Sequence, residues 1–353
     1  MSATCDDRRA GIARTSPLPR PRTVVAMGDS HFRDMFDLPR LNRLHHLCDV
    51  RGPLPAGSLD DALVRAELGE VEVLLTGWGC PPLDDDVLAA APRLVAVFHA
   101  AGSVKTHIPP AGWARGLVVT SAADANAKPV AEFTLGTILL EGRRTWRYVE
   151  GYRQHRDGGD AWRRLVPPTL NHGAVVGLVG LSRVGRRVAE LLRPFDVTVL
   201  VADPTAHASQ AARVGATLVA LDELLRCSDI VSLHAPELPE TRHLLDRRRL
   251  ALLRDDAVLI NTARGALIDT EALIDACRDG RIRAILDVTE QEPLPAGSPL
   301  YELPSVQLTP HIAGAMHGEA RRLADSALDE LERFLDGRPL RHRVDAGRLS
   351  TMA

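Results

Sequence analysis

Val176-Gly177-Leu178-Val179-Gly180-Leu181-Ser182-Arg183-Val184-Gly185 carries an apolar strand pattern into a helical one through a glycine turn. In such a turn Gly180 permits the tight bend and Gly185 lets the helix pack closely on the strand, while the N–H groups opening the helix face a pyrophosphate. Ser182 stands where the fingerprint has its middle glycine, so its hydroxyl either crowds the phosphate or donates to it. Asp203 closes the next apolar run, 18 residues after Gly185, where an acidic side chain binds the ribose hydroxyls of a dinucleotide. The turn alone is a weak signal; the turn with Asp203 predicts dinucleotide binding. A carboxylate there repels the extra phosphate of NADP, and Pro204 and Thr205 bring no compensating charge, so NAD is the expected cofactor.

Outward from this turn, near-continuous apolar runs recur at 174–179, 197–201, 230–233, 257–260, 284–286 and 306–308. Runs apolar on both faces belong to a parallel sheet covered by helices on both sides, and helical patterns at 184–192, 247–253 and 270–278 supply such covers. Upstream, runs at 24–27, 71–75, 94–98 and 117–119 alternate with helical stretches such as 59–68, for which Ser58 is the expected N-cap, with Asp60 and Asp61 in the first turn. Residues 126–152 read as one long connecting helix, followed by a loop containing Gly158, Gly159, Pro167 and Pro168. Ala320, Leu323, Ala327, Leu331 and Phe334 lie on one face of a C-terminal helix, before a polar tail from Gly337.

A chain of 353 residues exceeds one ordinary core, which favours two domains and a cleft between them. Its 45% hydrophobic and 25% charged residues fit an ordinary globular protein, and a net charge of -3 gives no electrostatic case for nucleic acid or an anionic membrane. A small-molecule partner is expected instead. Cys5, Cys48, Cys80, Cys227 and Cys277 are odd in number and form no CxxC pair, which argues against a disulfide framework and for a cytoplasmic protein. His45 and His46 have no acid or cysteine at ligand spacing, so no metal is expected. No run reaches membrane-span length, and residues 1–22, rich in Arg and Pro, read as a disordered tail.

Four further motifs fall at or beyond strand ends: His234-Ala235-Pro236, Asn261-Thr262-Ala263-Arg264-Gly265, Asp287-Val288-Thr289-Glu290-Gln291-Glu292-Pro293-Leu294 and Thr309-Pro310-His311-Ile312-Ala313-Gly314. Ligands bind at that edge of an open parallel sheet. With this ordered set, from about Val71 to about Gly314, the sequence resembles the D-isomer-specific 2-hydroxyacid dehydrogenase family. The resemblance implies an α/β protein with two Rossmann-like domains: a doubly wound parallel NAD domain at 126–314, and a smaller flavodoxin-like substrate domain at 23–125 plus 315–353. It implies hydride transfer between NAD and C2 of a small D-2-hydroxy or 2-oxo acid, with Arg264, Glu292 and His311 as the catalytic residues. Gly180, Ser182, Arg183, Val184, Gly185, Asp203, His234, Ala235, Pro236, Thr241, Thr262, Ala263, Asp287 and Gly314 would meet the cofactor. Ala101, Gly102 and Ser103, with Trp78 and Arg264, would meet the substrate.

The residue types suit these roles. A planar guanidinium binds a carboxylate through two charge-assisted bonds, an imidazole exchanges protons near neutral pH, and a glutamate orients that ring and favours its charged form. The chain departs from the family at Ala100, where relatives have glycine, at Val104 for aspartate, and at Thr289 for an aromatic residue. Trp78 fits a pocket wall as well as a core or interface position. The resemblance also implies a homodimer through the nucleotide domains, with apolar residues from Phe133 to Leu140 as one surface, although intramolecular packing explains them too. Two other functions remain open: an NAD-sensing regulatory protein of this fold, and a formate- or phosphite-type dehydrogenase.

Overall fold

A computed structural model describes residues 20–156 and 171–351. Residues 1–19 of the expected tail, and the loop with Gly158, Gly159, Pro167 and Pro168, lie outside the described residues. The chain divides into two compact units: the described residues through Ala125 with His317–Ala346, and Asn126–Met316 with the described residues from Gly347. The grouping of Gly347 onward departs from the expected boundary at 353, since the contacts of a short polar turn leave no periodic trace.

The first unit is built on β1 (Arg22–Ala26), β2 (Asp49–Val50), β3 (Val73–Thr76), β4 (Ala96–His99) and β5 (Val118–Ser121), in the order β2-β1-β3-β4-β5. All pairings are parallel. This is the flavodoxin-like order, with its switch point between β1 and β3. Every residue of β3 and β4 is buried, as a covered parallel sheet requires. The helix Arg321–Leu335 buries Leu323, Ala324, Ala327, Leu328 and Leu331, and Phe334 meets Phe98 edge-on at 5.7 Å.

Beyond that helix the chain does not trail away as a polar tail. Arg343 bridges Thr120 in antiparallel fashion, and Val344 N–H donates to the Val119 carbonyl at 2.8 Å. This segment supplies the pairing that edge strand β5 needs. The expected helix at 59–68 is shorter, Ala62–Leu68, and its N-cap is Asp61, whose carboxylate accepts from Leu63 N at 2.8 Å. Ser58 instead accepts from Asp60 N at 3.1 Å, closing the turn before it.

The second unit holds β6 (Val175–Val179), β7 (Thr198–Ala202), β8 (Thr217–Leu218), β9 (Ile230–Leu233), β10 (Val258–Asn261), β11 (Arg283–Leu286) and β12 (Val306–Leu308), in the order β12-β11-β10-β9-β6-β7-β8. Counted from β6 this is the doubly wound 3-2-1-4-5-6 order with one further strand, again all parallel. Side chains alternate between two cores. Leu259 enters one with Leu273 and Leu250, while Val258 and Ile260 enter the other with Val188 and Ile138. The order reverses between β6 and β9, which puts the Gly180 turn at the switch point.

The long connecting helix of the sequence reading is two helices, Ala123–Gly142 and Thr145–Gln154. Arg144 interrupts it with a left-handed φ of 56°. Its buried guanidinium donates to the Asp256 carbonyl at 3.0 Å, a contact that helical periodicity does not encode.

Two buried histidines mark the end of β4 and the loop beyond it. His99 Nδ1 lies 2.9 Å from Thr76 Oγ1, and its ring is tilted on His107 at 4.8 Å. Burial pushes His99 down to about 3, helped by the charge of His107, and burial pushes His107 down to about 4. The folded chain therefore keeps both rings neutral where the unfolded chain, near 6.5, takes up protons. Titration of these two rings leaves stability unchanged above about pH 6.5 and lowers it as pH drops from there toward about 4. In thermal melts from pH 7 to 4.5, His107→Leu should flatten this loss by up to ~1.4 kcal/mol per pH unit. Parallel profiles for wild type and variant would contradict it.

Candidate active site

The glycines of the turn are set by close approach. At Gly180, φ is +100°, and a Cβ would lie 2.7 Å from Ala235 N; at Gly185 it would lie 2.1 Å from Gly180 O and 3.2 Å from His234 Cβ. The start of Arg183–Leu192 thus lies directly on the ends of β6 and β9, with first-turn N–H groups that have no intrahelical acceptor. Ser182 is the N-cap, its hydroxyl accepting from Gly185 N at 3.4 Å. Its φ is -66°, so the Cβ costs no backbone strain.

Asp203 draws the turn toward β7. One carboxylate oxygen accepts from Leu181 N at 2.7 Å, and the other from Thr205 N at 2.8 Å and Thr205 Oγ1 at 2.7 Å. His234 is buried beneath the turn, and burial pushes it down to about 3, leaving a neutral ring with neither nitrogen hydrogen-bonded. Pro236 is the partly exposed member of that motif. Thr241 Oγ1 donates to the Pro236 carbonyl at 2.6 Å and accepts from Leu238 N at 2.9 Å, so it fixes the loop. Thr262 is buried, 3.0 Å from Thr134 Oγ1. Gly314 lies against Asn126, whose Oδ1 accepts from Ala315 N at 3.0 Å.

Beyond β10, the buried Asn261 clamps its own turn. Its Oδ1 accepts from Ala263 N at 3.0 Å and its Nδ2 donates to the Arg264 carbonyl at 2.8 Å. Arg264 is exposed, with Nη1 donating to the Ala263 carbonyl at 2.6 Å. Gly265 is pressed on the next loop, where a Cβ would fall 1.9 Å from Thr289 C and 2.2 Å from Glu290 N.

Asp287 is 3% exposed. Its Oδ1 accepts from Thr309 Oγ1 at 2.6 Å and Ile312 N at 2.8 Å, and its Oδ2 from Ala313 N at 2.9 Å. The carboxylate is therefore committed to the loop after β12. That loop holds His311 in a left-handed conformation, φ 56°, with its N–H donating to the Asp287 and Thr309 carbonyls, both at 3.0 Å. His311 Nδ1 faces Glu292 Oε2 at 2.9 Å, and Glu292 Oε1 accepts from Thr289 N at 3.2 Å. Glu292 thus engages Nδ1 of the ring, not Nε2.

In the first unit, Ala100 and Val104 are buried at 0% and 3% exposure. Both pack inward. Ala101 is also buried, while Gly102 is partly and Ser103 fully exposed. Trp78 is half-buried, edge-on to His31 at 5.6 Å, and its carbonyl accepts from Gly28 N at 2.8 Å. Asn261, Gly265 and Thr309 all stand inside motifs visible in the sequence without a role there: the partners of Gly265 and Thr309 lie on other loops, and Asn261 bonds within its own turn.

A glycine turn at the switch point of a doubly wound sheet, closed by an acid on the second strand, defines a dinucleotide-binding protein. The family is also shown by comparison. A family model described as D-isomer specific 2-hydroxyacid dehydrogenase, NAD binding domain, matches residues 138–313. D-3-phosphoglycerate dehydrogenase of Mycobacterium tuberculosis is 36% identical over 316 residues, 89% of this chain and 54% of that protein. Glyoxylate reductase of Thermofilum pendens is 40% identical over 262 residues, 72% of this chain and 76% of that one. The crystal structure of the TT0316 protein from Thermus thermophilus superposes with a TM-score of 0.70 at 33% identity, covering 92% of this chain and 100% of that one. The chain belongs to the D-isomer-specific 2-hydroxyacid dehydrogenase family, and its second unit carries the family's NAD-binding domain. It spans about half the length of the curated phosphoglycerate dehydrogenases that it matches.

The Asp287 arrangement has a measurable consequence. In Asp287→Asn an NH2 group must face Ala313 N or the pair Thr309 Oγ1 and Ile312 N, so one buried donor meets another. The variant should lose ~2–3 kcal/mol, roughly 5–10 °C in a thermal melt. A melting temperature unchanged within about 1 °C would show that the carboxylate does not hold the loop.

Proposed function

We propose that the chain transfers a hydride between NAD(H) and C2 of a small D-2-hydroxy or 2-oxo acid. The observation that carries this reading is the His311–Glu292 pair, held at 2.9 Å on the same sheet edge as Arg264 and the glycine turn. The cradle fits a dinucleotide. Gly180 and Gly185 are points where a Cβ would strike backbone, the helix start offers N–H groups to a pyrophosphate, and the carboxylate at Asp203 disfavours a 2′-phosphate. NAD, when bound, supplies or accepts the hydride.

The chain's own groups do the rest. Arg264 binds the substrate carboxylate and polarises the C2 oxygen. In reduction, His311 Nε2–H gives its proton to that oxygen as it gains negative charge; in oxidation the same nitrogen removes the hydroxyl proton. Glu292 orients the ring through Nδ1 and stabilises its cationic form. In the first unit, Gly102, partly exposed, and Ser103, exposed, carry polar groups of the kind that bind a carboxylate, and Trp78 is a half-buried aromatic side chain.

The partner is a small 2-hydroxy or 2-oxo acid, with neither nucleic acid nor membrane. Among the described residues, no helix is long and apolar enough to cross a membrane, and no three His, Cys, Asp or Glu gather as for a metal ion. A homodimer is supported by Leu140, Trp146, Val149 and Tyr152, which are 37–66% exposed on the two helices after residue 122. If that face pairs two copies, Trp146→Arg should shift light scattering toward the monomer. A cytoplasmic location is supported by four unpaired described thiols, Cys48, Cys80, Cys227 and Cys277.

The test is NADH oxidation across a panel of short 2-oxo acids. Wild type should turn over with NADH in preference to NADPH, and His311→Ala should lower kcat/KM by ~10²–10⁴ while NADH affinity stays within about threefold. Tight NADH binding with no turnover of any acid would sink the enzyme reading and favour a regulatory one.

A further inference from the structure

Glu290 lies two residues before Glu292, yet the roles above do not use it. Its Oε1 takes hydrogen bonds from His243 Nε2 at 2.8 Å and from Arg242 Nη2, and its Oε2 accepts from Thr270 Oγ1 at 3.2 Å. Three segments therefore meet on one carboxylate: the loop after β9, the first turn of the helix Thr270–Arg278, and the loop after β11.

The backbone contacts at this point are as close as the side-chain ones. Gly265, next to Arg264, is pressed on Thr289 and Glu290 N. His243 N–H donates to the Ala266 carbonyl at 2.8 Å, and Leu245 N–H to the Leu267 carbonyl at 2.9 Å, so residues 243–245 run along the turn that carries Arg264. His243 keeps its ring on Glu290 from a left-handed backbone, φ 49°. That region is unfavourable for a residue with a Cβ, and strain of this kind persists where the surroundings impose it. Burial would raise Glu290, but the hydrogen bond and charge of His243, the Thr270 hydroxyl and the Arg242 charge hold it below the usual carboxylate range, so it stays ionised.

We propose that Glu290 is a positioning residue that sets the placement of Arg264 relative to the Glu292–His311 pair, by tying Arg242, His243 and Thr270 to the loop that bears Glu292. The His311 loop is fixed separately, through Asp287; Glu290 fixes the other two loops to each other. Arg264 binds the acid while His311 exchanges its proton, so an error between them acts on the transition state more than on binding. This rests on the roles proposed above for Arg264, Glu292 and His311.

The test compares wild type, Glu290→Gln and Thr270→Val by steady-state kinetics, NADH binding, thermal melting and hydrogen–deuterium exchange. Glu290→Gln should lower kcat by ~10–100-fold, with KM and NADH affinity within about threefold. Exchange should quicken in peptides spanning 262–267 and 287–294, with that of 309–315 unchanged. Thr270→Val, which removes one bond and keeps the charges, should change both readouts in the same direction but less. Unchanged kcat in Glu290→Gln, or faster exchange spread evenly over the unit, would overturn the proposal. If wild type turns over no acid, the enzyme reading falls, while the exchange pattern still decides whether Glu290 couples these loops.

Discussion

Asp287 ends β11 with its carboxylate shut away from water, and the loop after β12 takes the shape that satisfies it. Thr309 Oγ1 and the amides of Ile312 and Ala313 all donate to it. A buried carboxylate without such donors costs several kcal/mol, so the sequence Thr309 to Ala313 must wrap around it. Wrapping sends His311 into the left-handed region, where its amide meets the Asp287 carbonyl and its ring reaches Glu292. The position of the His311 ring is a consequence of satisfying this buried acid.

The neighbouring loops are held in the same way. Asn261 uses its amide to close the turn that presents Arg264, and Gly265 lets that turn lie on the Thr289–Glu290 backbone. The loops after β10 and β11 leave buried parallel strands, so their bases are rigid; Asn261 closes the first within itself, and Asp287 locks the end of β11 to the loop after β12. Such support keeps the loops that carry Arg264, Glu292 and His311 in register. At the other end of the same edge, Asp203 and Ser182 do this for the glycine turn, one binding Leu181 N and the other capping the helix.

Much of this was legible in the sequence. β9, β12 and the helix Thr270–Arg278 fall on the residues that the apolar pattern picks out; in β9, buried at every residue, burial is written directly into residue type. β2 and β8, two residues each, are too short to leave such a trace. The break at Arg144, the cap at Asp61 and the pairing of residues 343–344 with β5 depend on partners distant in sequence or on which of several oxygens reaches an amide. The motifs at the strand ends were visible, as was the His–Glu pair through family resemblance. The bonds of Asp287 to the loop after β12 were not, since which groups a carboxylate binds is not written in one dimension.

The central claim is that this edge carries a hydride to C2 of a 2-oxo acid while His311 supplies the proton. Reduction of short 2-oxo acids with NADH deuterated at C4 of the nicotinamide, followed by mass spectrometry and chiral analysis of the product, tests it most directly. The account predicts one deuterium at C2 and the D-isomer wherever C2 is a stereocentre. Product without label at C2, or label in the L-isomer, would contradict it.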